Sequence, residues 1–154
     1  MTKKTVLLID DEQGFLEALA DALESDGCRI LKATTAEEAL RILKSQRVDL
    51  VTVDIMLPPG PTLETITNSH STGLFLCREI RQKYPAIDVF CISVVSEHSV
   101  IRKVRALGVR FLSKGEVSLR TVLNMIRSRL TGTAYSTERD RRKERKPINL
   151  WKTR

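Results

Sequence analysis

Five short apolar runs alternate with stretches of helical periodicity, and this alternation constrains the fold more than any other feature of the chain. The apolar runs occupy residues 5–9, 29–33, 50–53, 89–94 and 109–112. Between and after them, hydrophobic residues recur at helical spacing through residues 15–23, 39–43, 73–84, 100–107 and 117–130. Short apolar strands joined by helices are typical of a parallel sheet covered on both faces. The pattern predicts an α/β fold with a doubly wound, five-stranded parallel sheet.

Local signals support the same division into elements. Thr35 heads the sequence TAEE, a capping-box pattern with Glu38 that predicts the start of a helix. Gly27 and Gly108 follow periodic stretches at positions where helices commonly end. Pro85 cannot continue the helix that precedes it.

The positive charge of the chain is concentrated near its C-terminus. The net charge is +7, and residues 131–154 hold eight Lys/Arg against three Asp/Glu, a surplus of five. We therefore expect a folded domain over residues 1–130 and a basic tail or linker over 131–154. A solvated tail is the simple interpretation, and contact with nucleic acid or anionic lipid is the alternative.

Cysteine use and hydropathy indicate a cytoplasmic protein. The three cysteines, Cys28, Cys77 and Cys91, form no CxxC pair, and two of them sit inside apolar runs. We expect buried thiols in a reducing compartment. No run reaches membrane-spanning length, so we expect no membrane association.

Polar side chains cluster where the predicted strands end. Asp10 and Asp11 follow the first strand, Asp54 ends the third, Ser93 lies near the end of the fourth, and Lys114 comes just after the fifth. In such sheets the site lies beyond the carboxyl ends of the strands. If the first and third strands are neighbours, three carboxylates converge there and suit Mg²⁺. The lysine and serine could then receive an oxyanion. Asp54 either emerges at the strand tip into such a site, where we expect it to be exposed so that it can be reached, or it merely caps a turn.

These residues, in this order, resemble the receiver domain of bacterial two-component response regulators. The matching segments are LLIDDE, Asp54 followed by IMLP, GLFLCREIR, Ser93 in CISV and Lys114 in FLSKG. The resemblance covers about residues 4–130. It implies the flavodoxin-like receiver fold with strand order 2-1-3-4-5.

The resemblance also implies a phosphorylation site. Asp54 would accept a phosphoryl group from a sensor histidine kinase or a histidine phosphotransfer protein. Mg²⁺ would bind the side chains of Asp11 and Asp54, the carbonyl of Met56 and, through water, Asp10. The chain would be a phosphoacceptor with self-catalysed transfer, not a turnover enzyme.

Other roles follow from the same resemblance. Lys114 would pair with the bound phosphoryl group, while Ser93 and Phe111 would form the switch. Simple core packing is an equal alternative for Phe111. The output partner is not identified, and a homodimer through the fourth helix, fifth strand and fifth helix is one option.

The chain departs from the family in two loops. Residues 59–72 are about ten residues longer than the usual loop and hold many Ser and Thr. This insertion could gate the site or choose partners, or it could be a tolerated surface insertion. Gly115 replaces the proline that commonly follows the lysine, which puts the loop geometry around Lys114 in doubt.

A third departure concerns the rim of the site. Met56, two residues after Asp54, and Val95, two after Ser93, are apolar where many relatives carry polar groups that position the hydrolytic water. We therefore expect slow autodephosphorylation.

Three alternatives remain open. The chain could be a degenerate receiver that acts only as a protein-interaction module, or the N-terminal fragment of a DNA-binding response regulator. A phosphatase with a strand-end aspartate nucleophile would usually have a second acid where Met56 stands.

Overall fold

The computed structural model describes residues 3–61, 63, 71–95 and 97–132. Within them, ten elements alternate along the chain. The strands are β1 Thr5–Ile9, β2 Arg29–Ala33, β3 Leu50–Val53, β4 Asp88–Ser93 and β5 Arg110–Ser113. The helices are α1 Gln13–Ser25, α2 Ala36–Ser45, α3 Thr72–Lys83, α4 His98–Ala106 and α5 Leu119–Thr131.

The strands form one parallel sheet in the order β2-β1-β3-β4-β5, as the sequence predicted. β1 lies between β2 and β3, with Leu7 opposite both Leu31 and Val51. Alternate residues of each strand point to opposite faces, and each face has its own hydrophobic core. One core packs against α2, α3 and α4, and the other packs against α1 and α5. The central strands are therefore covered on both sides and carry no exposed residue, whereas the edge strands β2 and β5 carry the exposed Arg29, Lys32 and Arg110.

Element boundaries agree closely with the predictions in the first half of the chain and shift slightly in the second. β4 ends at Ser93, because its pairing with β5 ends there, so Val94 leaves the predicted strand and is 65% exposed. The last helix begins at Leu119, two residues later than predicted. Ser118 caps it by accepting a hydrogen bond from the backbone N–H of Thr121 at 3.1 Å.

The predicted capping box at α2 is confirmed in its first half. The Thr35 hydroxyl accepts a hydrogen bond from the N–H of Glu38 at 3.2 Å, whereas the Glu38 carboxylate accepts one from the N–H of Thr34, the residue before the N-cap, at 3.3 Å. Two further backbone N–H groups in the first turn of α2 donate to carbonyls of the loop after β3. Those of residues 36 and 37 donate to the carbonyls of Pro58 and Pro59, both at 3.0 Å.

Several predictions fall wholly or partly outside the described residues. The tail lies outside them from residue 133 onward, and so does most of the 59–72 insertion, of which residues 62 and 64–70 are not described. Cys77 and Cys91 are buried as expected, whereas Cys28 is half-buried. In the described ranges, no helix combines the length and hydropathy needed to cross a bilayer. The cytoplasmic location stays a prediction.

Candidate functional site

The carboxyl ends of four strands bring the predicted polar residues together at one edge of the sheet. Asp10 follows β1, Asp54 follows β3, Ser93 ends β4 and Lys114 follows β5. Backbone hydrogen bonds extend the sheet by one residue at this edge. The N–H of Asp54 donates to the carbonyl of Ile9, and that of Lys114 donates to the carbonyl of Ser93, both at 3.0 Å. Strand pairing therefore fixes the backbone positions of Asp54 and Lys114.

Lys114 is the centre of the site. Its ammonium group is 2% exposed and donates to three carboxylates: Asp10 Oδ2 at 2.7 Å, Glu12 Oε2 at 3.1 Å and Asp54 Oδ2 at 3.2 Å. The Phe15 ring lies beneath it, with 4.7 Å between Nζ and the ring centroid. A lysine ammonium has three donors, and all three have an acceptor here.

Asp54 is held on its other oxygen by β4 and by its own loop. Oδ1 accepts hydrogen bonds from the Ser93 hydroxyl at 2.8 Å and from the N–H of Met56 at 3.0 Å. The expectation that Asp54 is exposed is wrong, since the residue is 5% exposed. Lysine and serine cover its two oxygens, and the exposed carboxylate of the group is Asp11.

The three aspartates form a group suited to a hard cation. One carboxylate oxygen from each of Asp10, Asp11 and Asp54 lies within 4.8 Å of the other two. All three donors are anionic oxygens, the ligand type that Mg²⁺ prefers, and the exposed member leaves an open side for water. The residues therefore fit a divalent cation.

The charge balance of the site shifts two pKa values. Burial, together with the nearby Asp54 carboxylate, raises the pKa of Asp10 from 3.8 to about 7, against the opposing effect of Lys114. Burial alone would lower the pKa of Lys114. The carboxylates of Asp54 and Asp10 outweigh burial and raise it above its ordinary value. The lysine is therefore positively charged at physiological pH. Asp10 binds a proton more readily than an ordinary aspartate, because its charged form is buried and lies near the Asp54 carboxylate.

The remaining predicted residues lie around this centre. Phe111 is buried in β5 within the core that packs against α3 and α4. Met56 is half-buried, and the half-buried Val95 packs against the same core, with its N–H 3.4 Å from the Ser93 hydroxyl. The peptide bonds of the described residues are all trans, including the one before Gly115.

Sequence reasoning missed two contacts of Lys114. Glu12 stands at the N-cap of α1 but makes no capping hydrogen bond with its side chain, which reaches the lysine instead. The position of Glu12 directly after the acidic pair in LLIDDE could have indicated its contact with Lys114. No sequence signal indicated the contact with Phe15, because that residue also fits the apolar stripe of α1.

Gly73 is a further position that the sequence did not reveal. A Cβ atom built on it would overlap the carbonyl oxygen of Asp54 and the Cα of Ile55. Its own N–H donates to the carbonyl of Ile55 at 3.0 Å. The start of α3 therefore lies directly against the backbone that carries Asp54, an approach that only glycine permits.

Comparison with known proteins identifies the family and the fold. The model of the family described as "Response regulator receiver domain" matches residues 6–127. Among solved structures, a CheY-like receiver domain protein from Methanospirillum hungatei JF-1 superimposes with a TM-score of 0.72 at 21% identity, covering 86% of this chain and 97% of that one. At that identity, the likeness shows the fold alone.

Curated relatives are longer proteins. The KDP operon transcriptional regulatory protein KdpE of Escherichia coli is 34% identical over 94 residues, which cover 61% of this chain and 36% of KdpE. The phosphate regulon transcriptional regulatory protein PhoB of Pseudomonas aeruginosa is 28% identical over 109 residues, covering 71% of this chain and 43% of PhoB. The chain thus matches less than half the length of either relative.

Replacing Gly73 with alanine should distort the site. Alanine in place of glycine usually stabilises a helix by about 1 kcal/mol. Here we expect a loss of roughly 1–3 kcal/mol, because the new methyl group must displace the backbone of Asp54 and Ile55. Urea unfolding measures the change. Gly115→Ala is the matched control, since a Cβ there has no neighbour within 4 Å. Equal effects of the two substitutions would contradict the close approach.

Asp10 should make the stability of the metal-free protein depend on pH. Its pKa is raised from 3.8 to about 7 on folding, so between these values the folded state binds more protons than the unfolded chain. This contribution is full below pH 3.8 and is lost as the pH rises through 7.

Asp10→Asn cannot titrate, so its free energy of unfolding relative to wild type should rise from pH 4 to pH 7, by at most about 1.4 kcal/mol per pH unit. Urea unfolding in EDTA at several pH values tests this. Asp11→Asn, which removes the exposed carboxylate of the same group, is measured alongside it for comparison. A flat difference for Asp10→Asn would disprove the elevated pKa.

Proposed function

The chain belongs to the response regulator receiver domain family, and from this premise we propose that it accepts a phosphoryl group on Asp54. One observation carries the assignment. Asp54 is the carboxylate that contacts Lys114 and Ser93 while also belonging to the group of three aspartates. A nucleophile, two oxyanion donors and a cation site thus meet at one side chain.

The reaction we propose is a displacement at phosphorus. A carboxylate oxygen of Asp54 forms a bond to the phosphorus of a phosphohistidine, the P–N bond breaks, and the imidazole nitrogen keeps the electron pair. The Lys114 ammonium and the Ser93 hydroxyl then turn from the aspartate towards the phosphoryl oxygens. Both groups already lie within 3.2 Å of Asp54, so short movements suffice.

We assign the cation site to Mg²⁺, which would neutralise charge on the phosphoryl oxygens during transfer. Asp11 and Asp54 would hold the ion through their side chains, Met56 through its carbonyl, and Asp10 through water. The oxygen donors of the acidic group support this assignment. The protein's part is positioning and charge balance, so it acts as a phosphoacceptor that assists its own modification.

Ser93 is the residue through which phosphorylation would reach the rest of the fold. Its hydroxyl bonds Asp54 at 2.8 Å and lies 3.4 Å from the N–H of Val95, at the start of the segment leading to α4. A turn of this hydroxyl towards a phosphoryl group changes both contacts. Phe111, three residues before Lys114 in β5, is the proposed second switch residue.

The family supports a proposal for the phosphoryl donor and for the output. We propose a sensor histidine kinase or a histidine phosphotransfer protein as the donor. KdpE and PhoB are named as transcriptional regulators, and the matched region covers less than half of each. These names favour a second proposal, that the receiver is the N-terminal part of a DNA-binding regulator.

Asp54→Asn should abolish phosphorylation. Wild-type protein incubated with acetyl phosphate and Mg²⁺ should gain one phosphoryl group by intact mass, and it should not do so in EDTA. Asp21→Asn, an exposed aspartate on α1, is the control and should be labelled like wild type. Undiminished labelling of Asp54→Asn would place the acceptor elsewhere. Absence of labelling in the wild type would favour a degenerate receiver.

The phosphorylated state should be long-lived. Hydrolysis needs a water in line with phosphorus, and the half-buried side chains of Met56 and Val95 cannot hold one. Met56→Asn together with Val95→Glu should therefore speed phosphate loss by roughly tenfold or more, within the range of acid–base assistance. The measurement is the decay of phosphorylated protein after the donor is removed.

Ala106→Glu is the control for the lifetime experiment, since it adds a carboxylate at an exposed position on α4. It should leave the decay unchanged. Urea unfolding of the double variant checks the cost of placing a carboxylate at Val95, which packs against the core. A wild type that decays rapidly, or a folded double variant that decays no faster, would show that these two residues do not set the lifetime.

A further inference from the structure

A cleft lies at the edge of the sheet where the strands begin, opposite the candidate functional site. Its volume is about 760 Å³. Three segments line it: residues 3–4 before β1, residues 26–28 between α1 and β2, and the end of α5, with Arg127, Leu130 and Thr131. Small-molecule sites in proteins are commonly clefts of about 300–1,000 Å³. The cleft is therefore large enough for a small organic molecule.

Hydrogen bonds hold the walls of this cleft in place. Arg127 donates to both carboxylate oxygens of Asp26, which joins α5 to the turn after α1. The N–H groups of residues 26–28 donate to carbonyls at the end of α1. The carbonyl of Lys4 accepts a hydrogen bond from the N–H of Arg29 at 2.8 Å. The three lining segments therefore keep their relative positions without a ligand.

The lining of the cleft has an excess of positive charge. Asp26 is its acidic residue, and Arg127 neutralises that carboxylate. Lys3 and Lys4 are exposed and form no hydrogen bond or ion pair with any residue that the structure describes. The C-terminal ends of α1 and α5 lie beside the cleft, and each carries a partial negative charge of about 0.5. These helix ends offset about one of the two lysine charges, so about one positive charge remains for a ligand.

The rest of the lining is mostly apolar. Leu130 and Cys28 are half-buried and pack against the core beneath α1 and α5. Burial, and after it the Asp26 carboxylate, raise the pKa of the Cys28 thiol, so the thiol is neutral at physiological pH. The cleft thus combines an apolar surface with two cations and gains no negative charge from its cysteine.

We propose that this cleft, here called the basal cleft, binds a small organic anion with an apolar body. Its carboxylate or phosphate head would contact Lys3 and Lys4, whose ammonium groups act as point charges for such oxyanions. Its apolar body would pack against Leu130 and Cys28, which removes apolar surface from water. The proposal does not depend on phosphorylation of Asp54, which lies at the other edge of the sheet.

Two other occupants match the basal cleft less well. The basic tail leaves the fold after α5, but its surplus of five positive charges is repelled by Lys3 and Lys4. An anionic membrane surface could contact the two lysines, but it is too broad to enter a cleft of about 760 Å³ and leaves Leu130 and Cys28 without an apolar partner. A small anion uses both parts of the lining.

The test is an NMR titration of the full ¹⁵N-labelled chain in EDTA at about 150 mM salt. The probes 1-naphthoate and 1-naphthyl phosphate share an apolar body and differ in their anionic head. The cation 1-naphthylmethylamine and inorganic phosphate are the control ligands. The test variant is Lys3→Gln/Lys4→Gln. The matched control is Lys44→Gln/Lys103→Gln, which removes two exposed lysines from helices on the other face of the sheet.

At least one of the two naphthyl anions should bind with a Kd of about 1 mM or below, as expected for a ligand of this size. The tighter of the two identifies the preferred head group. Lys3→Gln/Lys4→Gln should weaken binding by about threefold or more, the range of two exposed charge pairs, and the control pair should leave it unchanged. Leu130→Asn should weaken binding several-fold without a change of charge. Both control ligands should bind more weakly than the anions.

Cys28 supplies a second measurement of occupancy. It is the half-buried thiol of the chain, whereas Cys77 and Cys91 are buried, so iodoacetamide should alkylate it first. A saturating concentration of the bound anion should slow this alkylation, as followed by intact mass. The shift changes in the NMR titration should include residues 3–4, 26–28 and 127–131.

Four results would overturn the proposal. The first is that neither naphthyl anion binds, and the second is that the cationic probe binds equally well. The third is an equal loss of affinity in the two lysine variants. The fourth is a set of shift changes confined to residues 133–154 or to the candidate functional site. Vesicles of phosphatidylglycerol are the competing probe: if they bind in a manner that requires Lys3 and Lys4 while the soluble anions do not bind, the lysines face a membrane instead.

Discussion

The buried ammonium of Lys114 is the interaction on which this site depends. Removing such a group from water costs several kcal/mol, and the cost is recovered only when its hydrogen bonds and charge are matched. Here Asp10, Glu12 and Asp54 supply three acceptors, and each comes from a segment that follows β1 or β3. The lysine itself follows β5, and β4 lies between β5 and β3 in the sheet. The Lys114 side chain therefore reaches across β4 to the carboxylates that follow β1 and β3. A partner removed from such a cluster leaves a buried, uncompensated charge, which typically costs about 3–5 kcal/mol. The same contacts that position the chemistry therefore hold the edge of the sheet together.

Both ends of the loop that the sequence analysis identified as an insertion, residues 59–72, are anchored next to the site. On one side, the carbonyls of Pro58 and Pro59 accept hydrogen bonds from the first turn of α2. On the other side, Gly73 lies against the backbone of Asp54 and Ile55. Extra residues between these anchors change the loop without moving its ends, and lengthening an anchored loop costs little entropy. Gly60 fits the same pattern, since its φ of +93° and its contact with Glu37 both exclude a side chain. The loop can therefore vary in length between its anchors, whereas Gly60 and Gly73 leave no room for a side chain.

The sheet and most of the site could be predicted because each depends on local patterns. β1, β2 and β3 are continuous or alternating apolar runs, and strand pairing then brings Asp10 and Asp54 together. The burial of Asp54 could not be predicted in this way, because it depends on Lys114 and Ser93 reaching across the sheet from later in the chain. The role of Gly73 was hidden for a related reason. A helix-opening glycine looks unremarkable until the backbone that it faces is known. Sequence patterns locate side chains on elements, whereas contacts between elements decide which groups are covered.

The charge at the centre of the site supports the proposal that a cation and a phosphoryl group bind there together. Lys114 provides one positive charge among Asp10, Glu12 and Asp54, and Asp11 adds a further carboxylate at the open side. Burial, and after it the neighbouring Asp54 carboxylate, raise the pKa of Asp10, and a proton bound there partly offsets the excess negative charge. An incoming phosphoryl dianion would add to the same negative charge and could not approach unless a divalent cation offset it. In the proposed reaction, the exposed Asp11 and the buried Asp54 would hold that cation, which would supply positive charge for the incoming phosphoryl group. If the proposed transfer occurs, the negative charge that raises the pKa of Asp10 is also the charge that a divalent cation would offset.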